Sequence, residues 1–159
     1  MTLLRRHGLK LPVLLICFVF VQSLYFKFTR HPETIYIFET RLDPWAASLG
    51  FPGLFAPGGL FSARVIGSAE LLAAALLLFG TVVPGRLVIQ GLGALLSLAV
   101  ISGAIGFHLF TPLGISVIDA EGRPDHGALF AMACLVWLSS LVVIAARRHD
   151  LLALVRSRP

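Results

Sequence analysis

One carboxylate stands alone inside a long apolar run. Glu70 follows Arg64 by six residues, and no other charge occurs until Arg86. A charge at that depth in a bilayer is costly, so such a group is paired, neutralised or put to use. His108 stands near the end of a second apolar run and Lys27 near the end of a third, while Asp125 and His126 open the last one. Together these residues could relay protons, line a pocket for a small apolar ligand, or form buried ion pairs. They define one candidate polar pocket: Lys27, Arg64, Glu70, His108, Asp125 and His126.

Each member also has a plainer role. Lys27 and Arg64 suit anchoring at the membrane interface. His108 suits a hydrogen bond between helices, and His126 an exposed loop position. Glu70 stands evenly between a functional group and a buried partner for Lys27 or Arg64. No catalytic set emerges, because neither a Ser-His-Asp pattern nor a glycine-rich phosphate loop is present. No metal site emerges either: His108 and His126, 18 positions apart, lack ligand spacing. Cys17 and Cys134 lie in apolar stretches without a Cys-x-x-Cys pair. That excludes a dithiol centre and leaves two small hydrophobes.

The composition says what must position these groups. The 159 residues are 57% hydrophobic and 13% charged, about half the charge of a soluble domain. A chain this short cannot hide so much apolar surface in its own core, so lipid must cover it. The net charge of +5 does not signal nucleic acid. Arg5, Arg6 and Lys10 precede the first apolar span, and Arg147, Arg148, Arg156 and Arg158 follow the last, a pattern that suits anionic lipid head groups.

The expected fold is an all-α integral membrane four-helix bundle, a single membrane domain over 1–159. The transmembrane helices are expected at 11–28, 62–83, 87–110 and 127–146. The first follows a basic stretch, as in a signal peptide, but no small-residue cleavage site ends it, so it reads as retained. Residues 87–118 carry no charge. As one helix they would be roughly 48 Å long, well beyond the ~30 Å hydrocarbon core. Thr111-Pro112 stops the helix near Phe110, and Pro84-Gly85 makes the turn before it. Residues 32–49 read as a short amphipathic interfacial helix: Ile35, Phe38 and Leu42 recur at helical spacing, and Asp43-Pro44 looks like a helix cap starting a second turn.

Small residues should line the contacts between spans: Ala63, Gly67 and Ala74 beside Glu70, Gly93, Ser97 and Ala104 beside His108, and Gly127, Ala131 and Cys134 on the last span. The inner halves of the spans look apolar. Eight cations fall on the side holding both termini and five on the other. The positive-inside rule therefore puts both termini in the cytoplasm and the candidate pocket in the outer half.

Four blocks recur in a familiar order: Lys27 to Glu39, Arg64-x-x-Gly67-x-x-Glu70-Leu71, Gly103 to Val117, and Asp125-x-Gly127-x-Leu129-Phe130. Over residues 11 to 148 the chain resembles the DoxX family of small bacterial membrane proteins. The resemblance implies a multi-pass bundle in the bacterial cytoplasmic (inner) membrane. It also implies association with redox assemblies, the family's name coming from a subunit linked to a thiosulfate:quinone oxidoreductase. Similar sequences usually carry Asp-Gly-Gly where this chain has Asp125-His126-Gly127.

Three readings stand. The chain is an accessory or small-ligand-binding subunit of a membrane redox assembly, with quinone as a candidate ligand. Alternatively it is a proton-coupled transporter or permease subunit, with Glu70 and His108 as relay groups, or a structural membrane protein without a ligand. An enzyme acting by itself fits least, since no haem, nucleotide or dithiol motif occurs. A transporter should place polar groups at midplane and inner depth too. Four helices with one membrane carboxylate also make a thin pathway unless copies assemble. The partners open to the chain are the lipid bilayer, a membrane or peripheral redox protein, and a second copy of itself.

Overall fold

A backbone surrounded by lipid must satisfy its own hydrogen bonds, and a helix does so within one segment. The computed structural model, which describes residues 8–119 and 121–156, follows that rule. Its elements are α1 (Lys10–Phe28), α2 (Pro32–Ile35), a π-helical stretch (Tyr36–Leu42), α3 (Asp43–Ser48), α4 (Ala63–Val82), α5 (Leu87–Phe110) and α6 (Ala128–Arg156). Four of them, α1, α4, α5 and α6, are long and apolar enough to cross a membrane. The chain is thus an all-α, multi-pass membrane protein. Arg5, Arg6 and Arg158, used above to orient it, lie outside the described residues.

The first three spans match the expected ranges to within a residue. The fourth does not stop at 146. It continues through Arg147 and Arg148 to Arg156, 29 residues in all, or roughly 43 Å. Charge ends an apolar run, but it does not end a helix, and the residues that follow are good helix formers. The segment from Pro32 to Ser48 is helical, as expected of the interfacial segment, with a widened π-helical turn in its middle. Pro44 lacks an N–H and its ring crowds the preceding turn. The π-helical stretch just before it, in which Asp43 N–H reaches Phe38 O, makes room. Asp43 is itself helical and caps nothing, contrary to the expectation. Its Oδ1 instead accepts from the N–H groups of Phe55 (2.9 Å) and Ala56 (3.2 Å), pinning the next turn.

The spans run antiparallel in sequence order. Cys17 donates to Ala74 O and Lys27 meets Glu70, which fixes α1 against α4. Ser97 with Ser140, and Trp137 with Ser102, fix α5 against α6. Connections 29–62 and 111–127 therefore share one end, the loop end, and the Pro84-Gly85 turn lies at the other, with Gly85 at φ +77°.

The main core joins Val13, Ile16 and Phe20 of α1 to Ala73 and Leu77 of α4, Ala94 and Ile101 of α5, and Val136 and Val143 of α6. A second cluster, Leu42, Ala46, Phe55, Leu113 and Val117, seats the interfacial segment on the 111–117 loop.

Two small-residue seams lie where expected. On α4, Gly67, Glu70 and Ala74 are buried, and on α5, Gly93, Ser97 and His108. The α6 seam is different. Ala131 is exposed and Cys134 half-buried, and Ala133, Val136, Ser140 and Val143 face inward instead. The closest approach is at the turn end. A Cβ added to Gly80 would collide with the backbone of Gln90, and one on Gly93 would stand 2.8 Å from Leu77 N.

Candidate functional site

Lys27 and Glu70 meet at the loop end of α1 and α4. Lys27 Nζ lies 2.7 Å from Glu70 Oε2 and 2.9 Å from Oε1. The two side chains are 14% and 7% exposed, so each is withdrawn from solvent and relies on the other. Ser23, one turn before Lys27, donates to Glu70 Oε2 at 2.6 Å and accepts from Lys27 at 3.1 Å. Sequence reasoning named the pair but missed Ser23. The signal was there, because residues four apart share a helix face.

Next to this pair a cleft opens between the end of α1, the interfacial segment and the start of α4. Lys27, Arg30, Thr34, Phe38, Ser62 and Arg64 are among its lining residues. The cleft opens to the surroundings and encloses little space of its own. A ligand would therefore place only a small polar tip inside it, with its body outside.

The backbone at its rim is unusual. Arg30 has φ +54°, a left-handed conformation costly for any residue with a Cβ. It ends α1: the next amide, His31 N–H, bonds back to Phe26 O, a closure usually made with glycine. The Arg30 guanidinium pairs with Glu39 at 3.0 Å. Arg64, exposed on the first turn of α4, pairs with no carboxylate among the described residues. Ser62 precedes α4 in the extended conformation of a capping residue, yet its hydroxyl makes no cap bond. It is 2% exposed and its Oγ has no partner.

The other predicted residues sit elsewhere at the loop end. His108 is buried, bonds Gly114 O through Nδ1 at 2.7 Å, and meets the Phe130 ring edge-on. Asp125 accepts from the N–H groups of Val117 (2.7 Å), Gly127 (2.9 Å) and Leu129 (3.0 Å). It ties the 117–125 loop to the start of α6. Burial pushes its carboxyl pKa up, but those three N–H groups and the nearby His108 outweigh burial and hold it below the ordinary value. His126 is exposed, with φ +53°. The structure thus brings Lys27, Glu70 and Arg64 to one place and His108 with Asp125 to another. The second pair is occupied by holding the loop.

At the turn end, sequence reasoning expected only apolar contacts. Gln90, 2% exposed, donates to Thr81 at 2.6 Å and accepts from Arg147 Nε at 2.6 Å. The turn that brings α4 back beside α5 puts Thr81 opposite Gln90, and the unexpected extension of α6 carries Arg147 to Gln90. No single segment reveals that meeting.

No family model, curated protein or solved structure matches this chain. Among the described residues no group of His, Cys, Asp and Glu could hold a metal ion.

Proposed function

We propose that this chain is a DoxX-like protein of the bacterial cytoplasmic membrane with both termini in the cytoplasm. In this reading it serves a membrane redox assembly as an accessory subunit that binds a small amphiphile. The loop-end cleft carries the reading. It combines a buried ion pair, an uncommitted arginine and an unpartnered hydroxyl beside apolar surface, so it offers donors to an oxygen-rich head while lipid-facing side chains take an apolar body. A quinone is one amphiphile of that kind. His126 supports the resemblance: its left-handed backbone stands where DoxX-like sequences carry glycine, the residue that adopts it freely.

Purification in mild detergent, with mass spectrometry of what stays bound, tests this. Near-stoichiometric retention of a small amphiphile, together with a membrane or peripheral redox protein, is the expected result. A preparation retaining neither would overturn it.

One observation favours the transporter reading. Glu70, the Ser97–Ser140 contact of 2.9 Å and the Gln90–Arg147 contact place polar groups at three depths. Against it, the two serines bond each other, and the helices around Gly93 meet too closely for even an added methyl group. These groups read as three separate staples between helices.

A further inference from the structure

We infer that the start of α4, with Ser62 and Arg64, is a binding site for a phosphate-type anion. This rests on the ligand-binding reading of the cleft and names the chemistry of the head it takes.

The first-turn amides of any helix lack partners inside the helix, and that end carries partial positive charge. Proteins ordinarily answer both needs with a capping side chain and an acidic residue. The 20-residue α4 has neither: no side chain caps it, and its first turn holds no acid. It holds a cation there instead, Arg64, which the helix end disfavours. Positive charge is thus gathered at a place where an anion would offset it.

Two further observations point to a ligand. Ser62, whose side chain lines the cleft, keeps a buried hydroxyl without a partner, which costs free energy unless something completes the bond. A serine hydroxyl swings among staggered positions about one bond, so it can meet an entering oxygen without backbone movement. The neighbouring charges are already committed, Lys27 to Glu70 and Arg30 to Glu39, while Arg64 pairs with no carboxylate among the described residues. First-turn N–H groups, one hydroxyl and one guanidinium suit a phosphate, whose several acceptor oxygens can be shared among them. Phe28, Phe61 and Val65, all exposed, border the same helix start and suit an acyl chain. The anion is either a lipid head group or free phosphate.

The test uses the full chain in neutral detergent and follows its melting temperature. Phosphatidylglycerol, phosphatidylcholine and inorganic phosphate are added separately at constant ionic strength. A ligand that binds the folded state raises the melting temperature saturably. Phosphatidylglycerol should do so and phosphatidylcholine should not. An equal effect from inorganic phosphate, with competition between the two, would support the same site and identify free phosphate as the source. Arg64→Gln should fold normally and weaken the anion's affinity about tenfold or more, as expected for a lost charge-assisted bond. Ser62→Ala should weaken binding several-fold without lowering the melting temperature of the ligand-free protein. The proposal fails if neither anion acts, if both lipids act equally, or if Arg64→Gln responds like the wild type. Failure with a quinone retained on purification would end the anion site and leave the accessory reading. A working anion site with no retained quinone or redox partner would do the reverse.

Discussion

Lys27 Nζ donates to both carboxylate oxygens of Glu70, at 2.7 and 2.9 Å, across 43 residues of sequence. Glu70 is buried and Lys27 largely so, each neutralised by the other, and Ser23 fills a further site on the carboxylate.

Glu70→Gln leaves Lys27 buried without its counter-charge. It should lower stability by about 3–5 kcal/mol, measured by unfolding in detergent. Lys27→Met combined with Glu70→Leu removes both charges and should recover most of that loss. If the single variant is as stable as the wild type, the pair does not hold α1 to α4.

Glycine substitutions should rank by the space each finds. Gly80→Ala and Gly93→Ala push a methyl group into Gln90 and Leu77 respectively and should cost about 1–3 kcal/mol. At Gly67 an added Cβ meets Lys27 and Phe28 at an ordinary 3.4 Å. Gly67→Ala should therefore be neutral or gain up to about 1 kcal/mol from helix propensity. A thermal-shift series that puts Gly67→Ala lowest would mean the contact between α1 and α4 is wrongly placed.

The Asp125 carboxyl is held below its ordinary 3.8 in the folded chain. A depressed pKa adds stability that is complete above the unfolded value and disappears as pH falls through the folded one. Asp125→Asn should thus show a flatter melting profile than the wild type below about pH 4. At neutral pH Asp125→Ala should cost about 1–2 kcal/mol, the scale of a lost helix cap. Parallel acid profiles for wild type and Asp125→Asn would contradict this.

The proposed orientation is open to reporter fusions. Fusions at Arg86 and after Arg148 should report from the cytoplasm, and one near Gly58 from the periplasm. The reverse result at any two sites would end the both-ends-inside arrangement, which follows from the uneven spread of Lys and Arg.

The spans were legible in the sequence because lipid imposes one simple rule: long apolar runs become helices, and proline or glycine marks their ends. Glu70 was legible for the same reason, being a charge where none is cheap. What escaped were features that depend on two distant segments meeting. Asp43 looked like a helix cap, but its acceptors went to Phe55 and Ala56, brought beside it only by the folded turn. Arg147 looked like a cation for lipid head groups until α6 carried it onto Gln90. Ser62 looked like no more than the first residue of the second span, and its significance lies in a bond it does not make. His108 and Asp125 were expected in the polar pocket, but the loop they support absorbs their hydrogen bonds.

The ion pair also bears on how the protein is made. As α4 leaves the ribosome it presents a carboxylate to the bilayer, and an acid deep in a helix costs about 2.5–3.5 kcal/mol during insertion. Its neutralising partner was synthesised 43 residues earlier. If the first segment is still beside the second as it enters lipid, the charge is neutralised and that cost falls. Membrane integration of this chain is then a joint event between α1 and α4, and a change at Lys27 would show first as a failure of the later helix to insert.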